Sequence, residues 1–422
     1  MLLIALPLSK VVDYWEQNNM TLLSYETSQN MLDLLEVNAS KNENIPLSSS
    51  LGRVLASDIV AKYNDPKFPT ASMDGYAVIH ADLDLDSIAI SGDNPAGNNE
   101  TRVVTEGTCI KTFTGSKMPE GADTLIQIEN VDAINGQITI EEKVSLGNAV
   151  RPIGEGYKAG DVLIKKGTKI GFAEIGVMAG LNIVMANVAV RPRVAVIATG
   201  SEILDLGVES DNPAQIRSSN NYTLAALFEQ AGAEVIQLGT VGDDKDSIKK
   251  TFENALCSAD ILVSTGGVSV GDYDFVKDIV PRLGAEVLFQ GVGIKPGRHI
   301  MVAQRENKFV LALPGFAYSS TVTAMLYVLP LIAKMLGKKN SFTTVEAKLS
   351  EAFTKRSRFT EFTACNVTID DGQYYVNFDG KKVGSSAILT NMLNDSALMI
   401  SGEEDKNLEE GTFVNVILLE NF

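Results

Sequence analysis

Apolar residues recur at helical spacing over residues 24–35, and more weakly over 48–59, where Leu51, Val54 and Leu55 share a face. Both stretches are predicted as helices. Asn64-Asp65-Pro66-Lys67-Phe68-Pro69 then interrupts the pattern with two prolines that frame a loop. From 88 to 151 the period shortens: 102–106, 109–113, 124–128 and 137–140 read as short strands between glycine turns. That is a small β module inserted into its surroundings. Residues 161–181 return to strand and helix character, and a helix over 173–179 is expected to pack on the first two. One domain is therefore made of two separated pieces.

From 193 to 336 strands and helices alternate. Strands are predicted at 194–197, 235–238, 261–263, 286–289 and 309–313, and helices at 221–231, 246–255, 275–283 and 319–336. This order gives a doubly wound, mostly parallel sheet. Ligands of such sheets sit outside the carboxyl ends of the strands. Each polar cluster here follows a strand: Glu202, Asp243, the loop from Thr265 to Asp274, and Lys295-Pro296-Gly297-Arg298. Beyond 342, strands at 345–349, 374–378, 397–401 and 413–419 predict a separate β domain, with a hydroxyl-rich loop at Gly384-Ser385-Ser386. The whole is a multidomain α/β chain. Its expected parts are an extension (1–19), a split helical and β domain (20–60 with 156–190), the β insertion (61–155), the α/β domain (191–340) and the terminal β domain (341–422).

Composition narrows the class. A chain of 422 residues exceeds one ordinary core, and 45% hydrophobic with 21% charged residues describes a globular protein. A formal net charge of −17 argues against a general nucleic-acid binder, which needs a basic face. Cys109, Cys257 and Cys365 are odd in number and far apart, so neither a disulfide framework nor a zinc site is expected, and a reducing cytoplasm suits them. The apolar start lacks a basic lead and a cleavage site, and Asp13, Trp15 and Glu16 follow it. It is read as a cytoplasmic extension, with Met20 opening the module, and no run is long enough to span a membrane.

The chemistry is suggested by the loop after 261–263. Thr265-Gly266-Gly267 leaves the backbone uncrowded, so its N–H groups can approach an anion. Ser269, Asp272 and Asp274 follow. A phosphate cradle edged with carboxylates points to a phosphorylated ligand with a divalent cation, whereas the same residues also make a glycine-rich turn of no chemical role. Lys295 and Arg298 flank Pro-Gly and suit an oxyanion, Lys as a point charge and Arg as a fork, or else form a solvated turn. Asp74, beside Gly75, is either presented at a cleft or closes an Asx turn into a strand.

Five motifs stand in order: Ser72-Met73-Asp74-Gly75-Tyr76-Ala77; Thr114-Gly115 with Pro119-Glu120-Gly121-Ala122-Asp123; Ala198-Thr199-Gly200-Ser201-Glu202; Thr265-Gly266-Gly267-Val268-Ser269-Val270-Gly271; and Ile294-Lys295-Pro296-Gly297. Any one is weak. Together, over nearly everything from Met20 onward, they resemble the molybdopterin molybdenumtransferases, the molybdenum insertases to which the C-terminal part of gephyrin also belongs. The resemblance implies an α/β domain like that of molybdopterin adenylyltransferases, a small C-terminal β-barrel and a homodimer. It also implies insertion of molybdate into adenylated molybdopterin with release of AMP, assisted by Mg2+. On this resemblance Glu202, Asp243 and Asp274 serve the metal and pyrophosphate end. Thr265, Gly266, Gly267 and Ser269 hold the phosphate or nucleotide. Lys295, Pro296, Gly297, Arg298 and Pro314 surround the oxyanion or phosphate, Ser385 and Ser386 approach from the last domain, and Asp74 and Thr114 reach in from the second subunit. An adenylyltransferase is the implied protein partner.

The chain departs from the family pattern in several places. Gly156 stands where an acidic residue is usual, Gly291 near a usual cation and His299 for a proline. Phe316-Ala317 replaces Asn-Pro, and Thr363-Ala364 lies where an arginine is common. These departures also suit a divergent paralogue that binds molybdopterin or its adenylate without efficient insertion, or one that uses tungstate. A gephyrin-like scaffold is a third reading, against which stands the lack of a long Ser/Pro linker.

Overall fold

A computed structural model describes residues 22–268, 274–338, 342–394 and 396–419. The expectations for 1–19, Ser269 and Asp272 lie outside these residues. The described residues divide into two compact units, one drawn from 22–56, Gly167–Gly171 and 185–419, the other from Ser57–Lys166 and Phe172–Val184.

The first unit is organised around a six-stranded sheet. Its strands are β1 (Arg193–Thr199), β2 (Glu234–Val241), β3 (Ile261–Thr265), β4 (Glu286–Gln290), β5 (Met301–Arg305) and β6 (Lys308–Leu313), in the order β2-β1-β3-β6-β5-β4. The pairs β2–β1, β1–β3 and β3–β6 are parallel, while β5 and β4 complete an antiparallel edge. Successive side chains point to opposite faces. Val194, Val196, Val263 and Leu311 meet Leu224 and Phe228 of α1 (Asn220–Gln230) on one face. Ala195, Ile197, Leu262 and Val310 meet Phe252 of α2 (Lys245–Ser258) and Ile279 of α3 (Val276–Arg282) on the other. A sheet covered on both faces must be apolar on both, which is why these strands read as continuous hydrophobic runs.

The helical stretch predicted at 319–336 begins as α4 (Ala317–Thr323), widens into a π turn at Ala324–Val328 and continues as Leu329–Met335. Pro330 explains the widening, because its missing N–H breaks the regular ladder there. The helix Tyr25–Leu34 packs on this segment, with Ser28 Oγ and Tyr327 OH 2.7 Å apart in the core. Ser24 caps that helix by accepting from Thr27 N at 3.1 Å.

Beyond the α/β sheet lie β7 (Thr343–Leu349), β8 (Thr360–Asp370), β9 (Gln373–Asn377), β10 (Ser396–Ser401) and β11 (Phe413–Leu418). They pair as β8-β9-β7-β11-β10, and β10 returns to β8, so the sheet closes into a five-stranded barrel. Ile294–Lys295 pairs parallel with β8 at Thr360 and Glu361. A basic residue between β4 and β5 of the α/β sheet is thus stitched to the barrel. Closure leaves β8, the longest strand, with neighbours on both sides.

In the second unit a six-stranded sheet runs Thr124–Gln127, Gly75–Val78, Thr108–Thr112, Ile88–Asn94, Gln137–Ile140, Val131–Ile134. Phe172–Gly180 forms its helix.

Two sequence expectations fail. Residues 48–59 are not a helix. Gly52 N donates to Ile170 O at 2.8 Å and Leu55 N to Thr168 O at 3.0 Å, so the backbone bonds to a distant segment instead of to itself. Residues 102–106 are not a strand but a single parallel bridge, Val103 with Glu120. Among the described residues no helix is long and apolar enough to cross a membrane.

Candidate functional site

A cavity of about 570 Å3 opens at the carboxyl ends of β1, β3 and β6. Its walls include Glu202 after β1, Thr265, Gly266 and Gly267 after β3, Asp274 before α3, and Pro314 after β6. Side chains separated by up to 112 positions converge because three parallel strands end on one rim. A second cavity, of about 370 Å3, is lined by Lys295, Pro296, Gly297, Arg298, Ser386 and Phe359. His299, Pro314 and Phe316 line both cavities, so the two form one cleft. A small third recess beside it holds Lys295, Glu361, Ser385 and Ser386.

The glycine pair is required by the backbone. Gly266 and Gly267 have φ of 89° and 66°. A Cβ on Gly266 would fall 2.6 Å from Thr199 O, and one on Gly267 2.8 Å from Val276 Cγ2. One N–H of this turn is already used within the fold. Gly266 N donates to Leu313 O at 3.1 Å, tying β3 to β6. Gly267 O accepts from Val276 N at 3.1 Å and leads the chain into α3.

Asp243 does not line the cavity. Ser201 N donates to its Oδ2 at 3.0 Å, and Asp243 N donates to Ser201 Oγ at 3.0 Å. This reciprocal pair braces the loop that carries Glu202. Among the described residues no three His, Cys, Asp or Glu side chains are grouped to hold a metal ion. Among the described residues Glu202 and Asp274 remain as the carboxylates of the cavity. Mg2+ is commonly held by one or two carboxylates, with substrate phosphates and water completing its shell. This donor set therefore fits magnesium bound together with a phosphorylated ligand.

At the basic end Lys295 Nζ donates to Glu361 Oε1 at 3.1 Å, and their side chains are 27% and 4% exposed. Glu361 is a buried acid on β8 whose Oε2 has no hydrogen-bond partner among the described residues. Sequence reasoning missed it, because its partner lies 66 positions away and nothing local marks the register of β8 against Ile294–Lys295. Gly297 packs against Thr323, where a Cβ would lie 2.2 Å from Cγ2. The exposed Arg298 lies over the Phe359 ring at 5.8 Å and 3.5 Å from His299 Nε2. Burial first, then the Arg298 guanidinium, hold His299 below the ordinary imidazole range, and Asp274 opposes the shift. Ser386 O accepts from both N and Oγ of Ser319 at 3.1 Å, anchoring the barrel loop to α4. Ser385 Oγ accepts from Ala387 N at 3.3 Å.

In the second unit Asp74 and Thr114 meet. Thr114 N and Oγ1 donate to Asp74 Oδ1 at 2.8 and 2.6 Å. These bonds, with Lys111 beyond them, hold the exposed Asp74 carboxyl below its usual range. At the departure Gly156, an exposed position, a Cβ would fall 2.9 Å from Asp65 Oδ2, so an acidic side chain there would stand beside a second carboxylate. Gly291 lines none of the three cavities described and has φ of 79°, a backbone that disfavours the usual cation.

Residues 23–181 match the MoeA N-terminal region (domain I and II), and 195–334 match the probable molybdopterin binding domain. The chain is 32% identical over 395 residues to a molybdopterin molybdenumtransferase of Staphylococcus epidermidis, covering 90% of this chain and 92% of that one. Its likeness to the Staphylococcus aureus protein of the same name is 32% over 388 residues, covering 89% and 91%. Among solved structures, the molybdopterin biosynthesis moeA protein of Pyrococcus horikoshii superposes with a TM-score of 0.80 at 30% identity, covering 94% of this chain and all of that one.

Proposed function

The chain belongs to the molybdopterin molybdenumtransferase family, a transferase family of molybdenum cofactor biosynthesis, and on that premise we propose that it inserts molybdate into adenylated molybdopterin and releases AMP. The observation that carries this reading is the single cleft with an acidic end, Glu202 and Asp274, and a basic end, Lys295 and Arg298. Breaking a phosphoanhydride needs positioning and neutralised charge more than covalent help from the protein. Glu202 and Asp274 would hold Mg2+, which supplies charge neutralisation at the phosphates. Asp243 keeps the Glu202 loop in place through Ser201. The Thr265-Gly266-Gly267 turn sets the floor of the phosphate end. Lys295 and Arg298 supply positive charge for molybdate or phosphate, with Ser385, Ser386 and Pro314 around them. No histidine base is needed, since the oxo groups that molybdate gives up leave as water and take up the protons that the dithiolene sulfurs lose.

Asp74 and Thr114 complete the site in this reading from the second subunit of a homodimer, and a molybdopterin adenylyltransferase supplies the substrate in the cytoplasm. The test incubates purified protein with adenylated molybdopterin, Mg2+ and molybdate and follows AMP. Wild type should release AMP, and Asp274→Ala should release none while its circular dichroism stays unchanged. Binding of the substrate by wild type without AMP release would overturn the insertase reading.

A further inference from the structure

Phe316 is a large apolar side chain left 64% exposed in a cleft that carries acidic groups at one end and basic groups at the other. Its backbone is fixed on both sides. Gly315 O accepts from Asn220 Nδ2 at 2.8 Å, and Phe316 O accepts from Ser320 N at 2.8 Å as α4 begins. The ring itself forms no aromatic pair among the described residues, and the guanidinium of Arg298 lies over Phe359 instead. A rigid mount under an uncovered ring is a poor way to hold an anion. The ring has no donor, and its negative face repels negative charge. Molybdate and phosphate are therefore the wrong ligands for this side chain. Pro314, Ala317, Val268 and Ile203 add apolar wall to the same cavity. A flat, uncharged group suits both the ring and these walls.

We propose that Phe316 is a stacking platform for a fused planar nitrogen heterocycle of the substrate, and so sets specificity between the two cavities it lines. This rests on the reading of the cleft as a site for an adenylated pterin. Such a substrate carries two rings of this chemistry, a purine and a pterin, and either is able to lie on the phenyl face.

Titration calorimetry with AMP, with 6-hydroxymethylpterin and with ribose 5-phosphate tests the proposal on wild type, Phe316→Ala, Phe316→Leu and Phe316→Trp. Stacking on an aromatic side chain gives a loss on truncation of about 5- to 150-fold in affinity. Phe316→Ala and Phe316→Leu should lose that factor for one of the two rings, Phe316→Trp should keep it, and ribose 5-phosphate should bind all four proteins alike. Loss for AMP alone assigns the platform to adenine, and loss for the pterin alone assigns it to the pterin. Unchanged affinity for both rings, or an equal loss for ribose 5-phosphate, overturns the platform while leaving the cleft's assignment standing. Failure of wild type to bind any of the three overturns that assignment and the platform with it. An unchanged thermal midpoint in Phe316→Leu separates lost stacking from lost folding.

Discussion

Replacing Lys295 by methionine keeps most of the side chain's volume but strands Glu361, a carboxylate only 4% exposed, without its cation. At the observed 3.1 Å the pair's attraction is about 5 kcal/mol for an effective dielectric of ~20. Breaking one side of a buried pair costs about 3–5 kcal/mol, because the remaining charge is left desolvated. Lys295 is partly exposed, so water reaching Glu361 should soften the loss to about 2–4 kcal/mol. Glu361→Gln removes the stranded charge, and the double variant should recover part of the loss, with a coupling of about 1–3 kcal/mol. Urea unfolding of the four proteins, followed by circular dichroism, gives the cycle. The same pair has a functional consequence. Glu361→Gln removes a negative charge close to the oxyanion corner. A like charge beside the site repels a dianion, so molybdate should bind more tightly to Glu361→Gln than to wild type. A Lys295→Met protein as stable as wild type, or a double variant no more stable than Lys295→Met alone, would refute the reasoning.

Three further outcomes follow from local geometry. Gly266→Ala should destabilise by at least about 1–2 kcal/mol from left-handed backbone alone, and more through its contact with Thr199 O, with lowered AMP release; an unaltered urea midpoint would contradict this. Thr114→Val removes one of two hydrogen bonds to Asp74, so the Asp74 carboxyl should move up toward its ordinary range in a carboxyl-carbon NMR titration. Because the folded value is depressed, the stability that Thr114 adds is present above the unfolded carboxylate range and is lost as pH falls through the folded value; a variant gap that persists at the acid end would sink this assignment. Gly291→Lys should cost about 1–2 kcal/mol at its positive φ without tightening molybdate, since the residue lines none of the three cavities described.

Much of the fold was legible because it is written at short range. The strands β1, β3 and β6 are apolar runs bounded by turns, and α1 and α2 show the spacing of one buried face. The hairpin that adds β5 was not anticipated, and neither was β8, where Glu361 and Thr363 are buried along with Phe362, Ala364 and Cys365 because barrel closure covers both faces. The same cause explains the failed helix at 48–59, where long-range backbone pairing overrode a weak local period.

The site divides along the same line. The sequence alone determined which residues stand at strand ends, since alternation fixes direction and parallel strands share one rim: Glu202, Thr265, Gly266, Gly267 and Asp274 needed no coordinates to be grouped. Only the tertiary structure decided how each side chain is used. It turned Asp243 away to brace Ser201, spent Gly266 N on Leu313 O, set Glu361 against Lys295, and left Phe316 uncovered between two cavities. Those outcomes depend on register between segments tens of residues apart and on a competition for hydrogen-bond partners. No local pattern encodes either one.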